Sequence, residues 1–114
     1  MSDDELKVYV REFREGILEG RKSDRMCFMI CAPLTTLLCM EGVLVRMVEG
    51  EAKDGTQHYW MELPDGRVLD PTLDQFGEEH PDVYLGPRLD DCHRVGMPLP
   101  QRKRLERLHG PARS

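Results

Sequence analysis

No run of about 18 apolar residues occurs anywhere in this chain, so nothing in it reads as a membrane span. The opening MSDDELK is acidic and lacks a basic-then-apolar pattern, so no export signal is legible and a cytoplasmic address is the expectation. Cysteines are few and irregularly placed, at Cys27, Cys31, Cys39 and Cys92. That pattern does not make a disulfide scaffold; in a reducing compartment such thiols are buried side chains, metal ligands or a nucleophile. Internal repeats are lacking, and so is any second domain: 114 residues can bury one core and little more. The apolar fraction of 39% is lean and the charged fraction of 32% is high, yet both fit a globular chain rather than a disordered one.

What is present is unevenly distributed. Residues 94–114 carry six Lys/Arg against Glu106 alone, a balance of +5, which leaves −10 on the remainder of a chain whose net charge is −5. An acidic body with a basic tail bears on solubility and partners, not on fold. The tail has no interleaved aromatics and no base-reading motif, which argues against nucleic acid.

Residues 3–19 place Leu6, Tyr9, Val10, Phe13 and Ile17 on one helical face. Ser2 with Glu5 fits a capping box, and Gly20 is a natural stop. The apolar centre, SDRMCFMICAPLTTLLCMEG, reads as a second helix capped by Ser23 or Asp24 and ended by Gly42. Pro33 obstructs it, because proline removes a hydrogen bond and clashes with the preceding turn. Either the helix is kinked there or its regular part begins near Ala32. Strand candidates follow at 43–50, at HYWMEL and at RVLDP, with a short one at 83–85; residues 100–110 suit a terminal helix.

The turn LPDGR sets a register. With Pro64–Gly66 as a three-residue hairpin loop, Leu63 pairs with Arg67 and Trp60 with Asp70. His58 then lies diagonal to Asp70 on the same face, about 7–8 Å away at the backbone, within reach of a joined imidazole and carboxylate. Such a pair serves a nucleophile. A cysteine attacks only as thiolate, which the positive end of a helix and a neighbouring imidazolium both favour. Cys27 or Cys31 is that cysteine, with His58 activating it and Asp70 orienting the ring.

These pieces, in this order, resemble the transglutaminase-like group of the papain-type cysteine enzymes, which includes the arylamine N-acetyltransferases. The shared pattern is Cys27-Phe28 opening a helix, a stripe of Leu34, Leu37 and Leu38, and Gly42 fifteen residues after the cysteine. His58-Tyr59-Trp60 and Asp70-Pro71-Thr72 follow, with Gln75-Phe76 as a frequent companion, so the likeness spans residues 23–76. The resemblance implies Cys27 as nucleophile, His58 as general base and acid, and Asp70 as orienter, acting through a thioacyl-enzyme. The expected architecture is α+β: an N-terminal helix, a central cysteine-bearing helix and a small antiparallel sheet of three or four strands in a papain-like core.

The expected function is a cysteine-dependent hydrolase or acyl transferase acting on an amide, isopeptide or ester of a peptide, protein or small acyl substrate. Hydrolysis is favoured because water needs no second binding site. Gln57 is a candidate second oxyanion donor, and Trp60 is core or a wall beside the site. Taken singly, Cys27 also fits a small buried side chain, and an Asp before Pro commonly ends a strand. Zinc on Cys27, Cys31, Cys92 and His93 is weighed against the apolar helix and the missing paired-knuckle spacing, so no metal or cofactor is expected. The rival from another class is the same fold with a silent site, an adaptor that binds through its basic tail.

Overall fold

The computed structural model describes residues 1–22 and 26–100, together with Lys103 and Glu106. It is an α+β domain of two α-helices and a five-stranded antiparallel sheet among the described residues. The terminal helix expected over 100–110, most of the basic tail, and the capping residues Ser23 and Asp24 fall outside the described residues.

Helix α1 spans Asp3–Leu18. Ser2 and Glu5 form the expected capping box, the hydroxyl accepting the Glu5 N–H while the Glu5 carboxylate accepts the Ser2 N–H. The helix ends where Glu19 and then Gly20 turn left-handed. Its buried side carries Leu6, Val10 and Leu18, and among them, unexpectedly, Arg14.

Helix α2 spans Cys27–Met40 and contains Pro33 in its interior. The regular part therefore begins at Cys27, not near Ala32, so the concern that proline would displace the start toward Cys31 is removed. Around the proline, Thr35 donates its hydroxyl to the Cys31 carbonyl at 2.7 Å. Ile30, Cys31, Leu34 and Leu38 are fully buried, and Gly42 follows with a left-handed φ of 83°.

The strands are β1 (Arg46–Glu51), β2 (Gln57–Glu62), β3 (Val68–Asp70), β4 (Tyr84–Gly86) and β5 (Arg94–Pro98). They lie in the order β4-β3-β2-β1-β5. The sheet thus has one strand more than expected: β5 sits in a Pro- and Gly-rich stretch, where Val95, Met97 and Leu99 alternate but Gly96 and Pro98 mask the strand signal, and pairs with β1 through an irregular register. The β2–β3 turn behaves as the sequence predicts. Leu63 N–H donates to the Arg67 carbonyl at 2.9 Å, and Met61 pairs with Leu69.

The two sheet faces are chemically different. Met47, Tyr59, Met61 and Leu69 pack with the helices in the main core. Val48, Trp60 and Val68 form a second cluster with Tyr84, and by strand alternation His58 and Asp70 share that face. A 3₁₀ turn, η1 (Leu73–Phe76), follows β3 directly. Since β4 and β5 are opposite edges, the chain between them must cross the sheet. Residues 87–93 do so on the Trp60 face.

Candidate active site

Asp70 is fully buried at the end of β3. Its Oδ2 accepts from His58 Nε2 at 2.7 Å and from His93 Nε2 at 2.8 Å. Its Oδ1 accepts the Thr72 N–H at 3.0 Å, because the Asp-Pro-Thr turn folds the backbone back onto the carboxylate. Burial alone would push the Asp70 carboxyl up; the charge and hydrogen bond of His58, with those of His93, overcome it and hold it well below the usual carboxylate range.

His58 is buried on β2. Burial pushes its imidazole down, but the Asp70 charge and hydrogen bond, joined by those of Cys27, raise it to about 9. The remaining ring nitrogen, Nδ1, lies 3.3 Å from the Gln75 amide nitrogen. Phe76 meets the ring edge-on with centroids 4.8 Å apart, and Trp60 lies 5.6 Å away.

Cys27 is the first residue of α2 and lies near enough to His58 for its charge to act on the ring. Met26, the residue before it, offers no capping side-chain oxygen, and Cys27 lies in the first turn, at the positive end of the helix. Cys31, one turn on, is wholly buried; its thiol faces the Tyr59 carbonyl at 3.7 Å, and burial pushes it well up. Cys39 is exposed near the far end of the helix. The cysteine expected at a helix start, the histidine and the aspartate are therefore brought together.

Of two other expected residues, Trp60 takes the core alternative and Gln57 is placed differently. Trp60 is fully buried and makes a floor under the imidazoles of His58 and His93. Gln57 is on the surface, its amide donating to Glu49 Oε2 at 3.3 Å. The amide beside His58 is that of Gln75, which also donates to Thr72 Oγ1 at 3.1 Å.

Arg14 was not among the expected site residues. From α1 it donates to the Pro71 carbonyl at 2.7 Å, to both oxygens of Asp74 and to the Asp82 carbonyl. It thereby clamps the turn that carries Asp70, Thr72 and Gln75. His93 entered the sequence reading only in the disfavoured zinc set alongside cysteines. The signal for either was a charged residue within an apolar face or an irregular loop, which local patterning cannot distinguish from a solvated one.

Among the described residues, one group of three or more potential metal ligands converges: His58, Asp70 and His93, with their ligand atoms within 4.8 Å of one another. The hydrogen bonding does not fit a metal. Leu89 N–H donates to His93 Nδ1 at 3.1 Å, so Nδ1 is the bare nitrogen. An imidazole bound to a metal through Nε2 would carry its proton on Nδ1 and oppose that donor. The cysteine-based zinc set does not assemble among the described residues.

No protein-family model, curated protein or solved structure matches this chain.

Proposed function

We propose that this protein is a cysteine-dependent acyl-transfer enzyme of transglutaminase-like, papain-type design, with Cys27 as nucleophile, His58 as acid and base, and Asp70 as the residue that orients His58. One observation carries the reading: a fully buried His58 is held by Asp70 at 2.7 Å through Nε2 while Cys27, at the start of α2, lies near enough for its charge to act on the same ring. A lone buried histidine needs one partner, not a carboxylate and a neighbouring thiol. The helix-then-sheet chain order Cys, His, Asp supports the papain-like core.

The chemistry follows from those positions. The first turn of α2 and the His58 imidazolium both favour negative charge on Cys27 Sγ. The thiolate adds to a carbonyl carbon, and the Cys27 backbone N–H faces the developing oxyanion. His58 gives its proton to the departing nitrogen or oxygen, leaving a thioester on Cys27. Water then attacks the thioester while His58 takes its proton, releasing the acid and restoring the thiol. The substrate class is an amide, isopeptide or ester of a peptide, protein or small molecule, processed in the cytoplasm.

The test is the pH dependence of iodoacetamide labelling, with mass spectrometry assigning a rate to each cysteine. Cys27 labels fastest of the four cysteines. His58→Ala slows it by about a hundredfold. Ordinary reactivity at all four cysteines would sink the enzyme reading and leave the silent adaptor. Fastest labelling at Cys31 would move the nucleophile.

A further inference from the structure

We infer that His93 is a positioning residue of this site: it divides the negative charge of Asp70 between two imidazoles and so keeps His58 able to release its proton. The inference rests on the acyl-transfer reading for its purpose, but its test is separate.

The geometry is specific. His58 and His93 both present Nε2 to the same oxygen, Asp70 Oδ2, at 2.7 and 2.8 Å. Their rings lie 5.8 Å apart at a tilt of 26°, with Trp60 at 5.0 Å from His93 and Tyr84 stacked at 6.1 Å on it. His93 is 1% exposed, so it is not a surface histidine that happens to touch the site. The Leu89 N–H at Nδ1 leaves Nε2 as its protonated nitrogen. A ring locked in that tautomer donates to the carboxylate and does not pass protons through.

The consequence is electrostatic. A carboxylate oxygen facing one imidazolium alone would hold the His58 proton more tightly than one shared with a second N–H donor. The titratable or charged groups facing His58 are Asp70 from β3, Cys27 from α2 and His93 from the crossing segment. Gln75 and Phe76 from η1 and Trp60 from β2 complete its surroundings without charge. Asp70 is also felt by the thiols of Cys31 and Cys92. Outside His93, Lys53, Arg88 and Arg94 border a cleft with Asp90 and Asp91.

The experiment is an NMR titration of the His58 imidazole in the full chain, with His93→Phe and His93→Gln, and Cys27 labelling run on the same samples. Phenylalanine replaces the ring by one of similar size with no donor; glutamine restores an N–H near the position of Nε2. In His93→Phe the His58 midpoint rises by roughly half a unit to one unit, and His93→Gln returns it toward wild type. An unchanged or lowered midpoint in folded His93→Phe, or a glutamine variant that behaves like phenylalanine, overturns the inference. Should the variants not fold, nitrogen shifts of the wild-type protein decide: the Nε2–H tautomer of His93 upholds it and the Nδ1–H tautomer removes it. If wild-type Cys27 is inert while His58 still responds to His93→Phe, the acyl-transfer reading falls and the coupling stands.

Discussion

Asp70 concentrates the electrostatics of this protein in one carboxylate. It is buried, and its two oxygens accept from His58, His93 and the Thr72 backbone. Asp70→Asn keeps the shape and removes the charge. The His58 imidazole then loses the attraction that outweighs burial, and its midpoint falls from about 9 to the ordinary 6.5 or below. Removing one partner of a buried pair costs about 3–5 kcal/mol, measurable by denaturant unfolding. Cys27 labelling slows in this variant. At this scale the sequence was informative, because His58 and Asp70 belong to one hairpin whose turn fixes their register. Gln75 and Gln57 show the limit: both are glutamines near the site in sequence, and only the 3₁₀ turn after β3 decides which amide meets the ring.

Among the elements, the packing of Trp60 ties the outer edge of the sheet to the site. A Cβ on Gly50 would collide with the Trp60 ring and with the Arg94 carbonyl, and one on Gly96 would meet Trp60 at 2.8 Å. Two glycines, one on β1 and one on β5, thus make the slot in which the indole lies beneath both histidines. Gly50→Ala must displace backbone as well as a ring, so it destabilises by about 1–3 kcal/mol in thermal or denaturant unfolding. Gly16→Ala, with open space around it, carries no such clash. The second element-scale device is Arg14. Arg14→Ala removes the guanidinium that Asp74 and the Pro71 and Asp82 carbonyls share. It is expected to cost about 3 kcal/mol and to slow Cys27 labelling, because the turn bearing Asp70 and Gln75 loses its clamp.

For the whole molecule, the His58–Asp70 pair makes stability depend on pH in a defined direction. His58 is raised from 6.5 to about 9, so its contribution is complete below pH 6.5 and is lost as pH rises through 9. Asp70 is depressed below 3.8, so its contribution is present above that value and disappears only in stronger acid. The melting temperature should therefore be highest between about pH 4 and 6.5 and decline from 6.5 to 9, and Asp70→Asn should flatten that decline. A decline equally steep in Asp70→Asn would assign it to other groups. The sequence by itself determined the α+β class, both helices, the β2–β3 hairpin and the meeting of His58 with Asp70, since periodicity, capping and turn chemistry are local. It also determined the order Cys27, His58, Asp70, which the start of α2 at Cys27 turns into proximity. Only the tertiary structure decided that residues 87–93 cross from one sheet edge to the other and set His93 on Asp70. The same holds for Arg14, which closes on a turn nearly sixty residues away, and for β5, which pairs despite carrying Gly96 and Pro98. Contacts of that span depend on how the layers close, and no local pattern encodes them.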